Sequence, residues 1–121
     1  MAHWPSEWRA SDDDIPYGEK LVEEMKPFVT FLIHDQKLSR ATMSNHLSGL
    51  FLLGGEIIRK INFYDEDRQI PPKQLLDDSL DEEGGPLCRH AEEGAALRQY
   101  DATCKKFYSF RSSRHQAHKF R

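Results

Sequence analysis

Leu21, Val22, Met25, Phe28, Val29, Leu32 and Ile33 recur at steps of three and four residues. In a helix such positions share one face, so residues 17–34 read as a first amphipathic helix. Pro27 lies inside that stretch and has no N–H to donate. A kink or a restart is expected there, with both parts facing one core because the stripe stays in phase. His34-Asp35-Gln36-Lys37 breaks the pattern, and a second stripe follows: Leu47, Leu50, Phe51, Gly54, Ile57, Ile58 and Ile61. Ser39 or Thr42 can cap this second helix, since a hydroxyl accepts from the free amides of a first turn. It is expected to bend near Gly54-Gly55 and to end around Asn62. A glycine on the stripe itself lets another backbone come close, or marks that bend.

Pro72 suits the first position of a short helix with Leu75, Leu76 and Leu80 as its apolar face. Residues 81–90, with Asp81, Glu82, Glu83, Gly84, Gly85 and Pro86, are the clearest loop. Ala95, Leu97, Tyr100, Cys104, Phe107 and Tyr108 supply the buried side of a last helix from about Ala91 to Ser109, whose first turn Gly94 weakens. No stretch alternates as a strand does. The expected fold is all-α, a small bundle of about four helices in a single domain over 17–110. A flexible N-terminal arm, 1–16, precedes it and a basic C-terminal tail, 111–121, follows it. The arm holds Trp4 and Trp8, then Asp12, Asp13, Asp14 and Pro16, a composition that discourages packing. The two tryptophans share a face if the arm is helical. They either dock on their own domain or serve as partner-binding anchors.

Charge changes the picture along the chain. Residues 1–64 carry 7 basic and 9 acidic side chains, residues 65–93 carry 3 and 10, and residues 94–121 carry 7 and 1. A basic C-terminal segment therefore follows an acidic middle. The two either neutralise each other within the fold or leave the tail free to meet phosphate. The net charge of −3 excludes an undifferentiated nucleic-acid coat. Cys88 and Cys104 have the spacing of neither a zinc ribbon nor a redox pair. No signal-peptide pattern and no membrane-length apolar run are visible, so a cytoplasmic protein with free thiols and no membrane partner is expected.

Candidate chemistry concentrates at the front of the second stripe. Leu38-Ser39-Arg40-Ala41-Thr42-Met43-Ser44-Asn45-His46 puts short polar side chains and an arginine at a helix start. Such groups, with the free amides and the helix dipole, suit phosphate, and Asn and Arg can read base edges. A capped, solvated first turn explains the same residues without a ligand. In the last helix basic residues interleave with aromatics, but at helical spacing Tyr100, Cys104, Phe107 and Tyr108 serve a core and leave Lys105, Lys106, Arg111 and Arg114 for phosphate. The acidic pairs read as solvated faces. Gly54-Gly55 lacks the Lys-Ser or Lys-Thr of a phosphate loop. His115 and His118, or Cys88 and His90, fall short of a closed ligand set. No catalytic residue, metal site, cofactor or small-molecule ligand is expected, and the chain is not read as an enzyme.

Phe28, Phe31 and Leu32, then Leu38-Ser39, Thr42, His46, Leu50 and Leu53, resemble the N-terminal core-binding domain of tyrosine recombinases, the phage-type integrases. The likeness covers about a third of the chain. It implies a SAM-like helical bundle that clamps DNA, with Lys37, Ser39, Arg40 and Thr42 near the backbone. The recombinases' catalytic residues belong to a further domain. Here His118-Lys-Phe-Arg121 has a His-x-x-Arg spacing but no tyrosine beyond it, so a stand-alone, non-catalytic relative is implied. The stretch from Leu38 to Ile58 is also similar to the recognition helix of arsenical-repressor-type winged-helix regulators. That fold requires a two-stranded wing, and residues 59–72 supply no alternating pair. The resulting expectation is DNA contact through Lys37, Ser39, Arg40, Thr42, Asn45, Arg59, Lys60, Lys105, Lys106, Arg111 and Arg114. The rival is a protein-interaction module or homo-oligomer that uses the 47–61 helix or Trp4 and Trp8.

Overall fold

The computed structural model describes residues 1–88 and 94–119, with side chains described as far as Ser113. The chain is all-α, as the apolar period implies. Helix α1 spans Trp4–Trp8, α2 Ile15–His34, α3 Arg40–Phe63, α4 Pro72–Ser79 and α5 Gly94–Lys119. Short 3-10 turns sit at Asp12–Asp14 and Asp65–Gln69. Among the described residues there is no strand, and an isolated bridge pairs Asp81 with Gly84. The segment that would have to form a wing is instead the end of α3, a 3-10 turn and the start of α4.

Helix α2 begins with proline in its first turn and continues through Pro27 as one element. The residue costs the Glu23 carbonyl its intrahelical donor but does not split the helix. Leu21, Val22, Met25, Phe28 and Leu32 are buried along its inner face. Helix α3 starts at the predicted cap, with the Ser39 hydroxyl accepting from the Thr42 amide at 3.2 Å. It runs unbroken past Gly54-Gly55 and buries Leu50, Leu53, Ile57, Ile58 and Ile61. Helix α5 packs along α3 in the opposite sense. Thr103 meets Gly49 and His46, while Tyr100 lies towards Glu56. From the other side Phe28 stacks on Phe107 at 4.8 Å between ring centres.

Both ends of the domain differ from expectation. Residues 1–16 are not a free arm. Trp4 and Trp8 lie against the core, Pro5 is buried against Gly18, and the Trp8 indole N–H donates to the Phe51 carbonyl at 2.9 Å. A Cβ on Gly54 would sit 2.2 Å from the Trp8 ring, so what this glycine admits is an indole, not a second backbone. The last residue of the acidic run also packs, while Asp12 and Asp13 stay exposed. Asp14 has no solvent exposure and accepts from the Ala10 and Ser11 amides, the Asn62 side chain and Arg68. At the other end, helix α5 continues through residues 111–119, expected as a separate tail. The expected start at Ala91 lies outside the described residues.

Candidate nucleic-acid interface

The turn between α2 and α3 is built from a helix ending. The Asp35 amide donates to the Phe31 carbonyl at 2.9 Å and the Leu38 amide reaches back to the Leu32 carbonyl at 3.3 Å. This closure spans seven residues, Leu32 to Leu38, and the residue just before Leu38 is left-handed. Lys37 takes that position with φ 51°, where glycine is the usual occupant. Leu38 tucks against the core, and the chain reverses into α3 with Lys37, Ser39 and Arg40 exposed.

Ser39 and Thr42 are committed to the helix start. The Ser39 hydroxyl accepts from the Thr42 amide and donates to the Thr42 hydroxyl at 3.0 Å. Their contribution is to hold the first turn, with its free amides, facing outward. Arg40 and Asn45 are exposed beside them. His46 points to α5, its Nδ1 in hydrogen-bond contact with the buried Thr103 hydroxyl at 2.8 Å. Burial holds the His46 ring below its ordinary pKa, and the charge of Lys106 pushes it the same way. Lys106 therefore lies by the first turns of α3, with the exposed Lys105 next to it. Lys37 and Arg40 flank the start of α3, Lys106 lies near His46 further along it and Lys105 is exposed on α5; none of the four forms an ion pair among the described residues.

The remaining predicted contacts do not join this group. Arg111 is taken into the fold: its guanidinium bridges Asp77 of α4 at 2.6 Å and Glu24 of α2 at 3.3 Å, and lies over the Phe107 ring. A side chain clamped by two carboxylates is not available to phosphate. This bridge is the part of the basic segment that the acidic middle does neutralise. The Arg114 side chain lies outside the described residues. Arg59 and Lys60 sit near the far end of α3, roughly 30 Å from Arg40 at 1.5 Å rise per residue. Trp4 and Trp8, the candidate partner anchors, are held by Phe51, Gly54 and each other.

Arg59 and Lys60 belong to a different surface. Together with Glu56, Ile57, Phe63 and Tyr64 they form one wall of an open groove of about 580 Å³. Ser79, Pro86 and Leu87 form the other wall. Sequence reading missed this groove because its walls come from three separate segments. It also missed the Asp14 anchor, although Ser11 and Asp14 have the spacing of a capping box. Neither Cys88 nor Cys104 forms a disulfide, and both are buried. Burial pushes the Cys104 thiol up to about 12, so it is a protonated packing group at neutral pH. Among the described residues no cluster of three or more His, Cys, Asp or Glu could hold a metal ion, and no helix is long and apolar enough to cross a membrane. Comparison with family models, with curated proteins and with solved structures finds no match to this chain.

Proposed function

We propose that the chain is a non-catalytic DNA-binding domain. It meets the phosphate backbone through the start of α3 and the side of α5, with Lys37, Arg40, Lys105 and Lys106. The observation that carries this reading is that Lys37 and Arg40 flank the start of α3, and Lys106 of α5 lies near His46 of the same helix, with no carboxylate partner for these cations or for the exposed Lys105 among the described residues. Unpaired cations around an outward-facing helix start make an anion site suited to a phosphate chain. Asn45 stands one turn further along and is the side chain placed to touch a base edge. Lys37 adds support. A lysine held at positive φ costs about 1 kcal/mol relative to glycine, and a charge needed at that point accounts for the cost. The likeness of Phe28 to Leu53 to integrase core-binding domains is consistent with the same role. In this reading the chain works in the cytoplasm, needs no cofactor and recognises DNA with little sequence preference.

The test is fluorescence anisotropy on a mixed-sequence duplex over a salt series. With about four phosphates neutralised, log affinity should fall against log salt with a slope of roughly −3 to −4. Arg40→Ala should weaken binding and reduce the slope by about 1, and Lys105→Ala/Lys106→Ala by about 2. Lys37→Gly should lower affinity while raising folding stability by about 0.5–1 kcal/mol. Arg111→Ala should cost stability and leave the slope unchanged. Absence of binding at low salt, or a slope untouched by Arg40→Ala and the lysine pair, ends the proposal.

A further inference from the structure

His46 stands half-buried at the seam between α3 and α5, and its two ring nitrogens are placed differently. Nδ1 is in hydrogen-bond contact with the Thr103 hydroxyl at 2.8 Å. Thr103 is buried, and it fits there because position 49 is glycine: a Cβ on Gly49 would stand 2.6 Å from the Thr103 Oγ1. The close approach of the two helices therefore fixes the ring on a hydroxyl that has no water to turn to. Nε2 has no hydrogen-bond partner among the described residues. No buried polar side-chain atom among them is left without a partner, so this nitrogen is open to solvent. On α3 itself no charged side chain lies within five residues of His46. From α5 the charge that acts on the ring is that of Lys106, which forms no ion pair among the described residues.

An imidazole held at one nitrogen, bare at the other and set near an unpaired lysine has the make-up of an anion contact that works when protonated. We propose that His46 is a phosphate contact of the DNA site, its Nε2 donating to the backbone in the imidazolium form, so that binding takes up a proton. The inference rests on the DNA reading and adds to it a contact residue and a pH dependence. In the free chain burial and the charge of Lys106 both disfavour the imidazolium. A phosphate oxygen between Nε2 and the Lys106 ammonium offsets the repulsion and favours the charged ring. The Thr103 contact survives with its roles exchanged. Nδ1–H then donates to Oγ1, and the hydroxyl donates to the Gln99 carbonyl one turn back, as helical threonines do. The sign of the linkage follows. Affinity is constant above the His46 midpoint of the complex, rises as pH falls towards the lower midpoint of the free chain, and levels below it.

NMR of the full chain tests it, with the His46 ring resonance titrated from about pH 8 to about pH 5, alone and with saturating mixed-sequence duplex. The midpoint should move up by about 0.5–1 on binding, and duplex affinity by anisotropy should rise about threefold to tenfold over the same range. His46→Gln, with helicity intact, should lose most of that gain. Equal midpoints with and without duplex overturn the inference, as does a gain that survives in His46→Gln. If that variant fails to fold, the titration of the parent chain decides alone. Duplex binding that is indifferent to pH leaves the DNA reading standing without this contact, and no binding at any pH ends both.

Discussion

At Gly54 a missing Cβ decides how the N-terminus docks. Alanine is the better helix former by about 1 kcal/mol, so Gly54→Ala would stabilise an isolated α3. In the folded chain the added methyl would fall 2.2 Å from the Trp8 ring, and the indole would have to move off the helix. The expected outcome is a net loss of about 1–3 kcal/mol in the denaturant midpoint, with tryptophan emission shifted to the red. Gly55→Ala is the matched control. Its Cβ would lie 3.4 Å from Trp8, an ordinary contact, and stability should hold or rise by up to about 1 kcal/mol. The stripe made Gly54 legible as a point of close approach. It did not say what approaches, because periodicity identifies the buried face of a helix and not the distant segment that covers it. Asp14 was illegible for the same reason: its partners Asn62 and Arg68 lie about fifty residues away and announce themselves by no local pattern.

Among the elements, α2, α3 and α4 were legible where a long apolar stripe or a Pro start signal defines them, and the end of α3 fell within a residue of expectation. The two misjudged elements lack such a signal. Helix α1 has five residues, too few for a period and too few to be stable without the tryptophans packing. Helix α5 continues beyond its apolar face into polar, basic sequence, where nothing marks a stop. The join between α3 and α5 carries a pH prediction through His46 and Thr103. The folded chain holds His46 below the ordinary 6.5, so as pH falls the unfolded chain takes up the proton first. Stability is therefore full above about 6.5, declines as pH drops towards the lowered folded value, and levels below it. Urea midpoints measured from about pH 7.5 to pH 5 should follow that course. His46→Gln, which keeps a hydrogen-bonding side chain towards Thr103, should flatten it. An unchanged slope in the variant would place the titrating group elsewhere.

For the molecule as a whole, charge is sorted more than it is cancelled. Arg111 ties the basic helix to Asp77 and Glu24, Lys37, Arg40, Lys105 and Lys106 form no ion pair among the described residues, and the carboxylates of residues 81–83 stay exposed on the turn after α4. The sequence showed that the halves differ in sign, but which cations pair depends on how α5 docks, and that required the structure. Asp14 is the point where separated parts of the chain are joined, since its carboxylate takes donors from the N-terminal segment, from the end of α3 and from the 3-10 turn before α4. Burial alone would raise its pKa. Hydrogen bonds from Asn62, Ala10, Arg68 and Ser11 outweigh that penalty and hold the carboxyl below the ordinary 3.8. The stabilisation is therefore present above about pH 3.8 and is lost as pH falls through the lowered folded value. Asp14→Ala removes the acceptor of the Ala10 and Ser11 amides, the Asn62 side chain and Arg68. Arg68 is 28% exposed and can turn to water, which limits the cost to about 2 kcal/mol rather than the larger penalty of a fully buried pair. Asp13→Asn, at an exposed neighbour, should stay within about 0.5 kcal/mol of the parent. Thermal unfolding followed by tryptophan fluorescence and by helicity should report one coincident, lowered transition for Asp14→Ala, because the anchor holds the N-terminal segment and the α3 end together. If fluorescence alone fell early while helicity kept its midpoint, the N-terminal segment would be a separate unit and Asp14 would not serve the whole fold.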